Sequence, residues 1–429
     1  MSSQKKGLSS FLQEFSIPLI AGVVAALVAA NVAPEWYQFW FSEHHAGGHE
    51  TWSTGLKFLG HDVGLYFLIN DVFMVFFFGI AAKEITESCL PGGSLNPPKK
   101  AVNPLIATIG GVAGPVCVFF GFLYLARYLG IGGYDELSEE LWKDHHTAWG
   151  IPTATDIALA WLVARAVFGK GHAAVNFLLL LAVADDAIGL GIIAVFYGDP
   201  SNPAEPAYLG LVAVGMAVAF AMRRMGVKYW APYIFIAGPL SWLGLMLAHL
   251  HPALALVPIV PFLPGPKRDT GLFASEDEVD VMGEATAGDL GIDHSPLHNY
   301  EHQTKVFVDF GLFFFAMGNA GVVFSNVGLM TWIILASLVV GKTVGITGFG
   351  LLGRSLGFPL PTGMGVRDLV MASFIAALGL TVALFVAGAA YPGDHHLQGE
   401  AKMGALLSGL VGIVAILASR FLGPRKEGD

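Results

Sequence analysis

Between Val175 and Tyr197 the chain reads VNFLLLLAVADDAIGLGIIAVFY, and the only ionisable side chains ahead of the terminal tyrosine are two adjacent acids, Asp185 and Asp186. The run has 23 residues, and a helix of that length rises about 34 Å, enough to cross a hydrocarbon core of about 30 Å. In lipid every backbone N–H and C=O must find its partner inside the segment, so a run of this kind is committed to a helix. Each carboxylate at mid-depth costs about 2.5–3.5 kcal/mol on an insertion scale. Neighbouring residues on a helix diverge by about 100°, so the two acids face different surroundings. Either they handle ions or protons, or they tether neighbouring helices.

The rest of the chain fits the same solvent. Hydrophobic residues make up 54% of it, charged residues only 13%, and it holds 54 glycines in 429 residues; a water-soluble surface needs more charge than that. Hydropathy places spans near 14–33, 61–82, 103–128, 149–168, 175–197, 207–222, 229–249, 252–264, 306–324, 328–353, 364–391 and 403–422. The expected fold is an all-α polytopic membrane protein with 12 transmembrane helices. Lys5 and Lys6 ahead of the apolar stretch from Ile17 to Val32 imitate a signal peptide, but the many spans that follow favour a retained first helix.

The basic residues test this partition. With the N-terminus in the cytoplasm, 18 of 23 Lys+Arg fall on the inner side, four (Lys57, Arg127, Lys143 and Lys402) fall outside, and Lys342 lies within a span. That asymmetry is the positive-inside pattern and puts both termini in the cytoplasm, in what reads as a bacterial inner membrane. Three units follow: helices 1–8 over residues 1–264, an acidic cytoplasmic loop over 265–304, and helices 9–12 with a short tail over 305–429. The loop carries nine Asp/Glu and no hydrophobic periodicity, so it reads as a solvated connection. The net charge of −10 sits in such loops and does not bear on a nucleic-acid partner, of which nothing in the sequence gives a sign. Cys89 and Cys117 give no disulfide framework. Outer-side histidine pairs, His44–His45, His145–His146 and His395–His396, lack the spacing of a metal site and read as a solvated face.

Three further features belong with the aspartate pair. The fourth span opens GIPTATDIA, with Pro152, Thr153, Thr155 and Asp156 ahead of its apolar stretch. Proline and polar side chains there predict an unwound segment, which is tolerated at depth only where protein or water lines it. Thr155, Asp156 and freed carbonyls are hard oxygen donors suited to a small hard cation; a simple helix cap by Thr153 or Thr155 is the plainer alternative. Lys342 lies in TWIILASLVVGKTVGITGFG with no other charge from Leu329 to Gly350, too deep to snorkel, and calls for a carboxylate partner among Asp156, Asp185 and Asp186. The eleventh span is interrupted by Gly379 and Thr381. Spans four and eleven run in opposite directions, as an inverted repeat of spans 3–5 and 10–12 requires, and interrupted helices at matching positions point to a transporter's ion site. Asp156 and Lys342 could supply the charges that their facing half-helix dipoles need, a carboxylate at N-termini and an ammonium at C-termini.

Taken together, LINDVFMVFFFGIAAKE (Leu68–Glu84), GIPTATDIA, LLAVADDAIG (Leu180–Gly189), FAMGNAGV (Phe315–Val322) and VVGKTVGI (Val339–Ile346) resemble, in order and spacing, the NhaA sodium/proton antiporters. The resemblance covers about residues 61 to 422. It implies a secondary transporter and not an enzyme, without cofactors. Its cargo would be Na+ and H+, with Li+ as a second cation, and it would work in a lipid bilayer, with a homodimer as one assembly. It implies that Asp186 is the main sodium ligand and proton carrier, with Asp185 and Thr155 beside it. Asp185 would be the gate or the partner of Lys342, Thr155 and Asp156 would mark the break of the fourth helix, and Glu84 would serve the pH response. The chain departs from the family pattern in having Ser88 where a second acid is usual, with Glu87 one position away, in a longer acidic loop, and in LGLT (Leu378–Thr381) where an IGFT-like sequence is common.

The expected chemistry is competition: a proton or Na+ neutralises the same buried charge, so one leaves as the other arrives. If two protons move for each cation, exchange is electrogenic and a proton gradient drives sodium out. An intramembrane aspartyl protease would need its acids on separate helices in a GxGD-like setting, whereas Ala184 and Ala187 flank this pair. A retinal protein using Lys342 fits poorly with interrupted helices. The alternative kept open is a sodium-coupled organic-anion symporter on the same fold, although adjacent acids would repel its anion.

Overall fold

The computed structural model describes residues 16–41, 51–59, 61–90, 95, 98–169, 171–198, 204–265, 295–392 and 394–421. The first helices, α1 (Ile17–Val32) and α2 (Pro34–Phe41), are followed by a hairpin of β1 (Ser53–Phe58) and β2 (His61–Gly64). The strands pair antiparallel, Ser53 opposite Gly64 and Phe58 opposite His61. The hairpin corrects the sequence reading, which began a span at residue 61; the continuous helix α3 (Leu65–Ser88) starts after it. Then come α4 (Pro98–Leu129), α5 (Glu139–His146), α6 (Ile157–Phe168), α7 (Ala173–Phe196), α8 (Leu209–Arg224) and α9 (Trp230–Leu247). The second part holds α10 (Pro296–Asn319), α11 (Leu329–Ser355), α12 (Val366–Ile375), α13 (Leu380–Ala390), α14 (His395–Ser408) and α15 (Leu410–Phe421).

Among the described residues seven helices are long and apolar enough to cross a membrane, or nine when each of two bent pairs is taken as one crossing. The protein is thus a mostly helical, multi-pass membrane protein. The outward surfaces of these helices carry exposed Val24, Phe122, Val195, Phe235, Val344 and Ile413, apolar side chains of the kind a bilayer covers. The expected eighth span at 252–264 is not a helix: it is two short 3-10 turns, Pro252–Leu254 and Val260–Phe262. Pro252, Pro258, Pro261 and Pro264 explain this, because each removes a backbone donor and restricts the residue before it. The acidic loop also ends sooner than expected. Helix α10 already begins at Pro296, so its first turns occupy what was read as loop up to 304, while residues 266–294 lie outside the described set.

Two features bring the interior together. The α4–α11 crossing is close enough that a Cβ on Gly114 would sit 3.0 Å from Gly345 Cα, and one on Gly345 would meet the Gly110 carbonyl. Glycine is required there by contact, and the close approach seats the Lys342-bearing helix deep in the protein. The second feature is the pair of bends. The segment Glu139–Thr153 meets α6, and α12 meets α13, each at 47°. The connecting residues lie side by side, with the Asp156 N–H donating to the Leu378 carbonyl at 2.6 Å.

Candidate ion-binding site

The site forms where these two breaks cross beside α7 and α11. After the 3-10 turn Thr147–Thr153, Pro152 and the extended residues Ala154 to Asp156 leave backbone groups without helical partners. Asp156 then caps α6 through its own side chain, Oδ1 accepting from Leu159 N–H at 3.0 Å. Its second oxygen accepts from Thr381 N–H at 3.2 Å and from the Thr381 hydroxyl at 3.0 Å, at the start of α13. One carboxylate therefore serves the positive ends of two half-helices, a favourable position for an anion.

Lys342 reaches the C-terminal end of the half-helix α12 only through Thr155, whose hydroxyl lies between its ammonium and the Ala376 carbonyl. It leaves α11 just after a π-helical turn, Ser337–Gly341, a distortion that re-aims side chains and recurs at functional sites. Its ammonium donates to Asp185 Oδ2 and, at 2.6 Å, to Thr155 Oγ1. Thr155 Oγ1 lies 2.7 Å from Asp185 Oδ2 and 3.1 Å from the Ala376 carbonyl. A hydroxyl has one proton, so Thr155 accepts from Lys342 and donates to one of these two oxygens. Lys342 and Asp185 are both fully buried, at 0% exposure. A buried ion pair tolerates that position when further hydrogen bonds support it, and Thr155 supplies them.

The acids keep spare capacity. Asp185 Oδ1 and Asp186 Oδ1 are buried oxygens without a hydrogen-bond partner among the described residues. Gly111 of α4 opens the space in front of the former, a Cβ there falling 3.9 Å from it. Unpartnered buried carboxylate oxygens are costly, and a proton or a small cation relieves the cost. The arrangement can thus hold one positive charge in either form. Asp185, Asp186, Thr155, Asp156 and Lys342, all singled out by sequence, are brought together. Thr381 is the missing partner, hinted at by LGLT.

Glu84 lies elsewhere. It sits near the C-terminal end of α3 with Lys83 and Glu87, and Lys83 Nζ contacts Glu84 at 3.4 Å as well as Glu87 and Glu301 of α10. Lys83, Glu84 and Glu87 are all buried. Sequence reasoning found Glu84 and noted Glu87 but missed Lys83 and Glu301, because charges near helix ends are ordinary and only packing shows that these face inward. The Glu87 position, one residue away from the usual pattern, still lands in the cluster.

Residues 12–420 match the family model described as Na+/H+ antiporter 1. A protein of Geobacter sulfurreducens named Na(+)/H(+) antiporter NhaA is 53% identical over 97% of this chain and 98% of its own length. One of Desulfitobacterium hafniense with the same name is 53% identical over 100% and 99%, and one of a Jannaschia species, again so named, is 40% identical over 97% and 98%. With near-complete coverage on both sides and a family model spanning the whole helical region, this chain belongs to the Na+/H+ antiporter 1 family.

Proposed function

We propose that the chain exchanges cytoplasmic Na+, and Li+ as a second cation, for external protons by alternating access in a bacterial inner membrane. The carrying observation is a buried Asp185–Lys342 pair next to two unpartnered carboxylate oxygens, at the crossing of two bent helix pairs. The relatives' names, Na(+)/H(+) antiporter, support the same reading. The organic-anion symporter finds no support in either.

In this mechanism Asp186 is the main cation ligand and proton carrier, and Asp185 with Thr155 completes the oxygen set. Na+ entering beside Asp185 competes with the Lys342 ammonium for the same carboxylate. Arrival of the cation loosens that pair and displaces the proton held by the acids, so cation and proton occupy the site in turn. Two protons per Na+ would make exchange electrogenic. The bent pairs are read as interrupted helices four and eleven of an inverted repeat, in a 12-span topology whose eighth crossing is the non-helical segment 252–264 and whose termini are both cytoplasmic, a reading supported by their equal 47° bends and by the positive-inside pattern. A cytoplasmic acidic connection that ends where α10 begins at Pro296, a homodimer in the membrane and a pH response through Glu84 complete the proposal; no cofactor is required.

Everted membrane vesicles test it. Added Na+ should release protons from vesicles that hold the unaltered protein, without any organic solute. Asp185→Asn and Asp186→Asn should each reduce that release at least about 100-fold while the protein remains folded by thermal unfolding. Undiminished exchange in Asp186→Asn vesicles would overturn the assignment.

A further inference from the structure

Where α4 crosses α11, backbone meets backbone. A Cβ on Gly110 would strike the Gly345 carbonyl, one on Gly114 would strike the Gly341 carbonyl, and one on Gly341 would fall 2.5 Å from Pro115 Cα. The crossing itself demands glycine at these places. Gly111 differs from them, although it stands on the same helix between Gly110 and Gly114. The three nearest neighbours of a Cβ there would all be side-chain atoms: Ile346 Cγ1 at 3.1 Å, Ile346 Cδ1 at 3.4 Å and Asp185 Oδ1 at 3.9 Å. The first two belong to a side chain that can turn aside. Glycine inside a helix is also less favourable than alanine. Helix packing therefore does not account for Gly111.

The third neighbour does. Asp185 is 0% exposed, and its two oxygens are used unequally. Oδ2 faces Lys342 and Thr155, whereas Oδ1 has no hydrogen-bond partner among the described residues. A methyl group on Gly111 would stand in van der Waals contact with Oδ1 and cover it from the α4 side. Relief by drawing α4 back would part the close contact that seats α11. Selection among hard cations follows from the size of the space and the number of oxygens that can gather in it. Na+ is the larger ion and holds a wider shell, while Li+ completes its shell with fewer oxygens drawn closer.

We propose that Gly111 is a specificity-determining residue: the space it leaves beside Asp185 Oδ1 holds the wider oxygen shell of Na+, and a side chain there turns the site toward Li+. The larger ion uses that space for oxygen from its own hydration, on the side of the carboxylate where no donor among the described residues stands. The smaller ion does without it. A proton bound to the acid needs no such shell, so protonation of the acids is left in place. The inference rests on the antiporter reading of this same site.

Proton release from everted vesicles, driven by Na+ or by Li+, tests it through the ratio of the Na+ to the Li+ apparent KM. Thermal unfolding in each salt is a second readout, which needs no transport. Gly111→Ala should raise the ratio about tenfold, at the low end of what one methyl group commands in a fitted pocket. Gly111→Ala combined with Ile346→Val, which takes Ile346 Cδ1 out of the methyl group's way, should show the same rise. Ile346→Val alone relieves that contact without filling the space and should leave the ratio unmoved. In both alanine variants the stabilisation by Na+ should fall relative to that by Li+. An unmoved ratio in a folded alanine variant, an equal rise in both KM values, or the same shift from Ile346→Val alone would overturn the assignment. Failure of both alanine variants to fold would overturn it too, by making Gly111 a packing glycine. Absence of Na+-driven proton release in the unaltered protein would instead overturn the antiporter reading itself.

Discussion

Two buried lysines each sit among several acids, and they are built differently. Lys83 and its carboxylates Glu84 and Glu87 stand on one continuous helix, with Glu301 reaching in from α10. Lys342, Asp185, Thr155 and Asp156 come from α11, α7 and the break ahead of α6, and they meet the second break at Ala376 to Thr381. In the first group one ammonium is shared by three acids on regular backbone, so a proton gained or lost there changes local charge without any change of path. In the second, the charges are held by backbone that has already left the helix, so a change of charge bears directly on which segments stay together. On the function proposed, the contrast would set a sensing place apart from a carrying one.

The largest effect after loss of the α7 acids should come from Asp156→Asn. An amide keeps the shape but offers one oxygen where two cap half-helices, and such caps are worth about 1–2 kcal/mol each when partly buried. The apparent KM for Na+ should rise about tenfold with a smaller loss of maximal rate. An unchanged KM would show that the break stands without the charge and would weaken the contrast.

The Lys83 group should respond in its pH profile instead. Glu84→Gln removes one of three acids competing for one ammonium, so the activity profile in vesicles should move to lower pH by about one unit, with the maximal rate kept. Lys83→Met should move it to higher pH. A loss of maximal rate without a shifted profile would make the cluster structural.

A smaller effect is expected at His251, in the turn between α9 and the proline-rich segment, 3.8 Å from Asp71 Oδ1. Burial pushes its imidazole down to about 4 from an ordinary 6.5. The unfolded chain therefore takes up the proton first as pH falls, so the neutral ring's stabilising contribution is present above pH 6.5 and is lost between about 6.5 and 4. His251→Asn should flatten the fall of the unfolding temperature across that window.

What the sequence made legible follows one physical rule. Asp185, Asp186, Asp156 and Lys342 stand out because an ionisable group in an apolar run is costly wherever it points. Their partners follow from the same cost, down to Asp185 as the acid that meets Lys342. The rule fails at segment ends. Lys83, Glu301 and Lys402 look like ordinary boundary charges, and only tertiary packing turns them inward. It also fails for residues 252–264, where apolar composition outweighed a proline spacing that forbids a continuous helix. The β1–β2 hairpin was missed because six- and four-residue strands beside a long apolar helix are absorbed into its hydropathy.

The shared carboxylate of Asp156 has one more consequence. Because the same side chain clasps the starts of α6 and α13, neither half can slip while the other stays without pulling buried donors away from their acceptor. A half-completed stroke is thus penalised from both directions. Under the exchange proposed, such a doubly fastened crossing would resist leaking, because a partly moved intermediate that joined the two sides of the membrane would lose both sets of hydrogen bonds.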